Sequence, residues 1–353
     1  MRNKPTIAQV AERAQVAAST VSRVLNGGYA SAEVKARVQQ VISELGYTPS
    51  LTARNLKMGR TGIIGVVVET SQGAWFTQLL GGIEERLVDQ RLSLVLASLS
   101  PGGQYDPSAV WSWIQERRVD GLIFARPGDK EQRLIEAAHA AHLPMAFIAP
   151  DRAFSEGASV AAMNRAAGRE LARHLSELGH ERIAFAGGPE ASLDTQRRLE
   201  GLVEGLHAQG LALADQSFAA SYEAGEGVRH AERWLSFPRE TAPSAVVVGN
   251  DAMALAFMRA VQQEGFSIPD HLSVAGFDGL PEAGLYWPGL TTMAQPTRQM
   301  GMDACELVLG QMHATEPPDP VGGEYAMRLI TRESTGPYRG LVVGEAEPQR
   351  AAG

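Results

Sequence analysis

The apolar residues of the chain follow two different periods, and the change falls near residue 62. Before this point they recur every three or four positions, which is the spacing of one face of an amphipathic helix. After it, short continuous apolar runs alternate with longer amphipathic stretches. The pattern predicts a small helical head followed by a larger body in which strands and helices alternate.

The head is predicted to contain three short helices. The first begins at Thr6, because Gln9 follows at the spacing of a capping box. The second covers "ASTVSRVLN" and ends at the glycine pair that follows it. The third begins after Ser31 as its N-cap, and Gly46 ends it.

The second of these helices carries compact polar side chains away from its valines. Ser19, Thr20 and Arg23 lie off the apolar face made by Val21 and Val24. Two helices joined by a tight turn, the second of this kind, have the geometry that enters a DNA major groove. Small side chains allow a close approach, and a guanidinium can donate two hydrogen bonds to guanine. We therefore interpret this segment as a recognition helix.

The distribution of charge agrees with that interpretation. Residues 1–60 hold nine Lys or Arg and three Glu, a formal charge of +6, whereas the whole chain carries -8. A basic head on an acidic body favours contact between the head and a polyanion. The alternative is a basic face that is simply solvated.

The segment of residues 50–58 has the length of about two helical turns, which is too short for a stable isolated helix. Leu56 stands there between Arg54 and Lys57. This arrangement fits an apolar wedge between base steps of a minor groove, with the cations on nearby phosphates. Ordinary packing of Leu56 is the alternative.

Seven strands are predicted in the body. Their near-continuous apolar composition indicates a parallel sheet covered by helices on both faces. The strands are assigned to residues 62–68, 92–98, 119–125, 144–150, 182–188, 244–250 and 272–278.

Polar and aromatic groups follow several of these strands. Because ligands of such sheets collect at the carboxyl ends of the strands, these groups are candidates for a binding site. Carboxylates, an amide, guanidinium groups and aromatic faces suit a sugar or similar polyol. For each one alone, a turn cap or a surface ion pair is the alternative. The strand-end candidates are Glu69, Arg126, Asp151, Asn250, Asp251 and Asp278. To these are added Trp75 and Phe76 at a helix start, the pair Arg197 and Arg198, and Tyr222.

Composition and motifs narrow the class of protein. Hydrophobic residues make up 44% and charged residues 20%, as in an ordinary globular protein, and no apolar run approaches the ~18 residues of a membrane span. The amphipathic N-terminus lacks an apolar signal core, so we expect a cytoplasmic protein. The lone Cys305 is expected to be a core thiol.

The sequence lacks common active-site motifs of enzymes. These include the nucleophile elbow, the HExxH pair and the phosphate-binding glycine loop. The eight His lack metal-ligand spacing. We expect no enzymatic activity, no metal and no cofactor. His139, His142, His174 and His180 are expected on helix surfaces.

The run from Thr6 to Gly65, with the strings "TVSRVLN" and "ARNLK", resembles the lactose-repressor/galactose-repressor family of transcription regulators, and the likeness continues to "TRESTGP" near residue 336. The resemblance implies base contacts by Ala18, Ser19 and Arg23 and minor-groove insertion by Leu56 from a hinge helix. The complete predicted DNA-binding set is Thr6, Ala18, Ser19, Thr20, Ser22, Arg23, Asn26, Ala53, Arg54, Leu56 and Lys57.

In this family the two core lobes are similar to periplasmic sugar-binding proteins. Matching motifs carry the effector-binding role to residues in "AWFTQLL", "RLEG", "SYEAGEG", "GND" and "GFDG". With the strand-end arginine added, the predicted effector site comprises Trp75, Phe76, Arg126, Arg198, Tyr222, Asn250 and Asp278.

Three positions depart from the family pattern. Ala17 stands where the family usually has a serine at the start of the recognition helix. Met163 and Gly279 stand where aspartates are common, before Asn164 and after Asp278. The last two departures remove carboxylates near the hinge and the cleft.

The predicted fold class is α/β, with an N-terminal helix-turn-helix head and a two-lobed parallel-sheet core like that of periplasmic binding proteins. Residues 1–48 are assigned to the DNA-binding head, 49–61 to the hinge helix and linker, 62–336 to the effector-binding and dimerisation core, and 337–353 to a disordered tail.

The predicted function is sequence-specific regulation of transcription, as a repressor, by a homodimer on a near-palindromic double-stranded operator. A small-molecule effector between the lobes controls it, with a sugar or sugar derivative as the first candidate and a purine as the second. An exported solute receptor and a sugar-converting enzyme are the alternatives, although neither explains the basic head. Inducer or corepressor action, the operator sequence, and dimer or tetramer stay open.

Overall fold

The structure, a computed structural model, describes residues 5–25, 27–47, 59–69, 73–100, 104–314 and 322–339. The chain divides into two compact units, residues 1–62 and 63–353, where the apolar period changes. Residues 50–58, predicted as the hinge helix, and residues 340–353 of the predicted tail lie outside the described residues.

The head contains the three predicted helices, which are α1 (Ile7–Arg13), α2 (Ala18–Leu25) and α3 (Ala32–Leu45). The capping box predicted at the start of α1 is confirmed, because Thr6 N donates to Gln9 Oε1 at 2.9 Å and Gln9 N to Thr6 Oγ1 at 3.4 Å. At the end of α3, Gly46 has a φ of 61°, a left-handed conformation that favours glycine.

A small apolar core joins these helices. It is formed by side chains recurring at helical spacing, and each helix contributes one fully buried valine to it. These are Val10, Val21 and Val38, which are fully buried.

The core unit consists of two lobes, each built on a six-stranded sheet. In the first lobe every neighbouring pair of strands is parallel, in the order β11-β5-β4-β3-β1-β2. Its strands are β1 (Ile63–Val68), β2 (Ser93–Ser98), β3 (Gly121–Ala125), β4 (Met145–Ile148), β5 (Ala158–Ala162) and β11 (Gly323–Tyr325).

The second lobe has the order β12-β10-β9-β8-β6-β7, and only the β10–β12 pair is antiparallel among its described pairs. Its strands are β6 (Ile183–Gly187), β7 (Leu213–Phe218), β8 (Ala245–Val248), β9 (Ser273–Asp278), β10 (Thr291–Ala294) and β12 (Arg328–Ile330).

Helices cover both faces of each sheet. The first lobe has α4 (Ala74–Gln90), α5 (Ser108–Gln115), α6 (Gln132–Ala140) and α12 (Thr297–His313). The second has α7 (Asn164–Glu177), α8 (Leu193–Ala208), α9 (Ala224–Leu235), α10 (Asp251–Gln263) and α11 (Pro281–Leu285). Among the described helices, none has the length and apolar character required to cross a bilayer.

This double coverage explains the continuous apolar runs in the sequence. Along β1, Ile64, Val66 and Val68 point into one apolar cluster, whereas Val67 packs into the cluster on the opposite face. Cys305 lies in the first of these clusters, and burial raises the pKa of its thiol to about 12, as expected for a core thiol. The predicted α/β fold with two parallel-sheet lobes is confirmed.

The chain passes between the lobes three times, between β5 and α7, between β10 and α12, and between β11 and β12. All seven predicted strands are present, with ends that differ by at most two residues. Five strands were not predicted from the sequence, namely β5, β7, β10, β11 and β12. Strand β7 alternates partly buried and exposed positions at a sheet edge, and β11 and β12 have three residues each, so none of these three is a long apolar run.

Two expectations were wrong for physical reasons. The disordered tail was predicted to begin at residue 337, but Tyr338 N donates to Leu178 O at 2.8 Å, and the Tyr338 ring lies 5.6 Å from that of His180. His180 itself is 2% exposed rather than on a helix surface. Its ring nitrogens form hydrogen bonds with the hydroxyls of Ser244 and Ser273. The helical spacing of residues in the sequence does not reveal such long-range contacts.

Candidate functional site

The outer face of α2 displays the residues predicted to read bases. Ala18, Ser19 and Arg23 are exposed, and Thr20 and Ser22 are half-buried. This arrangement arises because Val21 and Val24 anchor the opposite side of the helix in the core of the head. The predicted recognition helix therefore presents a compact polar surface with one guanidinium.

The Arg23 side chain packs against Gly28. A Cβ atom on Gly28 would lie 2.6 Å from Arg23 Cγ, so glycine leaves room for the arginine stem. Among residues 5–25 and 27–47, no ion pair involves Arg23, whereas Arg13 and Arg37 each face a glutamate. Its charge is therefore available to an external anion or acceptor.

The remaining DNA-binding predictions fall into two groups. Thr6 is exposed, and its side chain serves as the N-cap of α1. The others lie outside the described residues, namely Asn26, Ala53, Arg54, Leu56 and Lys57.

In the core, the strand orders place a switch point between β1 and β3 in the first lobe and between β6 and β8 in the second. Ligands of open α/β sheets bind outside the carboxyl ends of strands at such points. Arg126 follows β3 there with a φ of 56°, and Asp278 ends β9 with a φ of 115°. Non-glycine residues in this backbone region are strained and concentrate at functional sites.

Arg198 is almost completely buried in the cleft, with 1% exposure. Its Nε donates to Asn164 Oδ1 at 2.6 Å, and its Nη1 donates to Gly249 O at 2.5 Å. Its Nη2 lies 3.8 Å from Asp278 Oδ1 and 3.9 Å from Asp194 Oδ2. All three nitrogens of this guanidinium are thus committed to groups of the protein.

Arg126 connects the two lobes. It extends from the first lobe, and its Nη1 donates to Asp194 Oδ2 of the second lobe at 3.2 Å. Its guanidinium also lies 4.5 Å from the centre of the Tyr222 ring. Burial alone would lower the pKa of Arg126, but Tyr222, Asp194 and Asp151 raise it above its ordinary value, so the group stays charged.

A second bridge between the lobes runs through Ser192. Its hydroxyl donates to Asp151 Oδ1 of the first lobe at 2.8 Å and lies 3.1 Å from the Tyr222 hydroxyl. The Tyr222 hydroxyl is also 2.7 Å from Thr195 Oγ1. Burial raises the pKa of Asp151 above its usual range. These contacts hold hydroxyl, carboxylate and aromatic groups together at one place in the cleft.

Two carboxyl groups lie behind this surface. Burial, together with the nearby charge of Asp278, raises the pKa of Asp251 well above its usual range. Burial also raises the pKa of Asp278 above its usual range, although Arg198 opposes the shift. Asp251 accepts hydrogen bonds from Thr292 Oγ1 at 2.6 Å and Leu280 N at 2.8 Å. Asp278 accepts one from Gln295 Nε2 at 2.6 Å.

Three other predicted effector residues have structural roles. Asn250 caps α10 through Met253 N at 2.8 Å, and its Nδ2 donates to Tyr222 O at 3.1 Å. Phe76 is 5% exposed and belongs to the apolar cluster of the first lobe, and Trp75 packs half-buried against that cluster. The polar network thus gathers Arg126, Arg198, Tyr222, Asn250 and Asp278, whereas the two aromatic residues belong to an apolar core.

The departure at Gly279 has a local explanation. Its φ is 74°, and a Cβ atom would lie 2.4 Å from Ala294 Cβ, so an aspartate there would be strained. At the other departure, Met163 is 38% exposed, and the adjacent Asn164 is 2% exposed between Asp194 and Arg198.

Several groups of the network were absent from the predicted site. Asp194 accepts a hydrogen bond from Asn164 Nδ2 at 2.7 Å in addition to that from Arg126. It stands four residues before Arg198, and this spacing brings two side chains together on a helix. The spacing was therefore an available signal. No comparable spacing in the sequence indicated Ser192 or Asn164.

Comparison with known proteins links each unit to a described family. The model described as bacterial regulatory proteins of the lacI family matches residues 6–50. The model described as a periplasmic binding protein-like domain matches residues 172–335.

Curated relatives extend over most of the chain. The HTH-type transcriptional regulator DegA of Bacillus subtilis (strain 168) is 30% identical over 307 residues, which cover 85% of this chain and 89% of DegA. The HTH-type transcriptional repressor PurR of Escherichia coli O139:H28 (strain E24377A / ETEC) is 30% identical over 339 residues, which cover 95% of this chain and 98% of PurR.

Solved structures give a similar result. The Lac repressor dimer bound to operator and the anti-inducer ONPF has a TM-score of 0.80 and 27% identity, covering 95% of this chain and all of that one. The complex of the transcriptional regulator CelR with cellobiose has a TM-score of 0.70 and 26% identity, covering 94% of this chain and 99% of that one.

Proposed function

Because the chain belongs to the LacI family of DNA-binding transcriptional regulators, we propose that it is a repressor controlled by a sugar or sugar derivative bound between the lobes of its core. The relatives compared above are transcriptional regulators rather than enzymes. The cleft accordingly senses a ligand and carries out no reaction.

The chemistry of the cleft supports a sugar as the effector. The Ser192 hydroxyl lies 2.8 Å from Asp151 Oδ1 and 3.1 Å from the Tyr222 hydroxyl, so three hydrogen-bonding oxygens are gathered there. Vicinal hydroxyls of a polyol match such closely spaced acceptors and donors, and an aromatic face suits the apolar side of a sugar ring. The related CelR was solved with cellobiose, which agrees with this choice.

The observation that most directly supports operator recognition is the exposed face of α2. It combines Ala18, Ser19 and Arg23 on a helix whose other side is anchored in the head. Small residues permit close approach to base edges, and the unpaired guanidinium supplies a bidentate donor. We propose that these three residues read bases and that Thr6, Thr20 and Ser22 contact the DNA beside them.

Replacing Arg23 by alanine tests this assignment. We expect Arg23→Ala to weaken binding to a duplex selected by the wild-type protein by roughly 1–3 kcal/mol, with little change on random DNA, because a base contact is lost. Fluorescence anisotropy at fixed salt measures both affinities.

The matched control is Arg13→Ala, because Arg13 forms an ion pair with Glu44 at 3.9 Å. It should leave the difference between selected and random DNA unchanged. Equal losses on selected and random DNA for Arg23→Ala would identify Arg23 as a phosphate contact and contradict the proposed reading of bases.

We propose that the protein acts as a homodimer on a near-palindromic operator. Two large apolar side chains in the second lobe support this, since Leu285 is 85% exposed and Trp287 is 78% exposed. A neighbouring pair of this size is unusual on a monomer and typical of an interface anchor. The related Lac repressor was solved as a dimer, so a second copy of this chain is the proposed occupant.

Introducing a charge at this surface should separate the copies. We expect Trp287→Asp to weaken dimerisation by about 2 kcal/mol or more, because burying an unpaired carboxylate is costly. Sedimentation across a concentration series measures the dissociation constant. Val203→Asp is the control, because Val203 is 42% exposed on α8 of the same lobe. An unchanged dimer in Trp287→Asp would move the interface elsewhere.

These assignments give each segment of the chain a separate role. We propose that residues 1–48 bind the operator, that residues 49–61 connect head to core, and that the core begins at residue 62. Because Tyr338 packs against the second lobe, the core is extended to residue 339. The cytoplasm is the proposed location, since the DNA target is there.

A further inference from the structure

The charged groups of the cleft are almost completely paired with one another. Arg198 lies between Asp194 and Asp278, and Arg126 lies between Asp194 and Asp151. Two cations therefore face three carboxylates. Asp251 lies behind these groups, and burial together with the charge of Asp278 raises the pKa of its carboxyl group.

Asp194 is the centre of this arrangement. It is 6% exposed and lies in contact with both guanidinium groups, at 3.2 Å from Arg126 Nη1 and 3.9 Å from Arg198 Nη2. Asn164 Nδ2 fixes its other oxygen at 2.7 Å. Without the Asp194 charge, two arginines would face two carboxylates. Arg126 would then have one remaining carboxylate partner, Asp151, at 3.6 Å.

An anionic ligand would find no spare cation among the described groups of this cleft. Arg198 is enclosed, and its three nitrogens already face protein partners. Arg126 is more accessible, with a side chain 27% exposed, but it is bound to Asp194. Lys130, beyond the end of β3, lies 3.3 Å from Glu69 in an exposed pair, so a carboxylate also stands beside this cation. A phosphate or carboxylate would instead approach Asp151 and Asp194, and like charges repel strongly in a partly buried site.

We infer that Asp194 determines the charge class of the effector. By neutralising both arginines it restricts the cleft to uncharged polyhydroxylated molecules and excludes phosphate esters and acids of the same sugars. This inference builds on the proposed function of the cleft and assigns a specificity-determining role to Asp194.

The test compares matched ligands on the full-length protein. Neutral pentoses, hexoses, disaccharides and nucleobases are screened by thermal shift, and each sugar is paired with its phosphate ester and its sugar acid, at equal ionic strength. We expect wild type to bind a neutral sugar at least about tenfold more tightly than its anionic partner. In Asp194→Asn that preference should shrink by a similar factor, since Arg126 then lacks its main counterion.

Inorganic sulfate provides a probe that does not depend on sugar contacts. It should stabilise Asp194→Asn above a sodium chloride reference and leave wild type unaffected. The matched control is Glu204→Gln, because Glu204 pairs with Arg165 and Arg169 on the exposed surface of the same lobe. That variant also frees two arginines but should not gain a sulfate site. If Asp194→Asn does not fold, the wild-type preference between matched ligands decides the question.

The possible outcomes separate this inference from the proposed function. If a neutral nucleobase binds and sugars do not, the sugar effector is wrong and the charge restriction holds. If a sugar phosphate or sugar acid binds wild type as tightly as its neutral parent, the restriction is wrong and the sugar class holds. Sulfate stabilisation of wild type equal to that of Asp194→Asn would also overturn the role of Asp194.

Discussion

Arg198→Ala is expected to lower the free energy of unfolding of the core by about 3–5 kcal/mol, because it removes one partner of a buried ionic network. Asp278 would be left beside Asp251 without its cation, and Asn164 and Gly249 would lose their donors. The same variant should lose the response of operator binding to the effector, since the remaining polar groups are no longer held in place. Urea unfolding and operator titration measure the two effects.

The neighbouring arginine supplies the control. Arg197 has a side chain 45% exposed and faces Glu324 at 3.6 Å, and exposed pairs of this kind contribute about 0–1 kcal/mol. Arg197→Ala should therefore remain within about 1 kcal/mol of wild type and keep the effector response. Equal losses in the two variants would show that burial in the network is not what makes Arg198 important.

Acid is expected to destabilise the core through His180. Burial lowers the pKa of its imidazole to about 4 in the folded protein, although the Gly336 carbonyl opposes the shift. The unfolded value is near 6.5, so the neutral ring contributes stability that is fully present above pH 6.5. That contribution is lost as the pH falls toward 4, by up to roughly 3 kcal/mol.

Unfolding in urea across this range of pH tests the prediction. His180→Gln should begin with lower stability at neutral pH and lose less of it on acidification than wild type. His139→Gln is the control, because His139 is exposed on α6, and it should follow the wild-type profile. Parallel profiles for wild type and His180→Gln would assign the acid sensitivity to other groups.

Much of the fold was predictable because it depends on local spacing. The capping box at Thr6 and the left-handed Gly46 each follow from residues within one turn of the helix end. The buried strands were found because both faces of each sheet are covered, which leaves uninterrupted apolar runs such as residues 63–68. An edge strand such as β7 lacks that coverage and therefore that signal.

The polar site was only partly predictable because its contacts join distant parts of the chain. Strand ends indicated Arg126 and Asp278, since the carboxyl ends of parallel strands converge. The contact of Arg126 with Asp194 spans 68 residues, and that of His180 with Ser273 spans 93. Burial of Phe76 in the first lobe depends equally on which helices pack against β1. Such neighbours are determined by tertiary packing.

The central claim is that a ligand in the cleft controls operator binding, and reciprocal titration tests it most directly. The affinity for a selected operator is measured with and without a cleft ligand found in the thermal-shift screen, and the ligand affinity is measured with and without operator. Thermodynamic linkage requires the two ratios to be equal, and we expect a factor of about 5 to 150. The variant Arg198→Lys identifies a cleft ligand, because it should abolish the binding of such a ligand. If both affinity ratios equal one for a ligand identified in this way, the claim is contradicted.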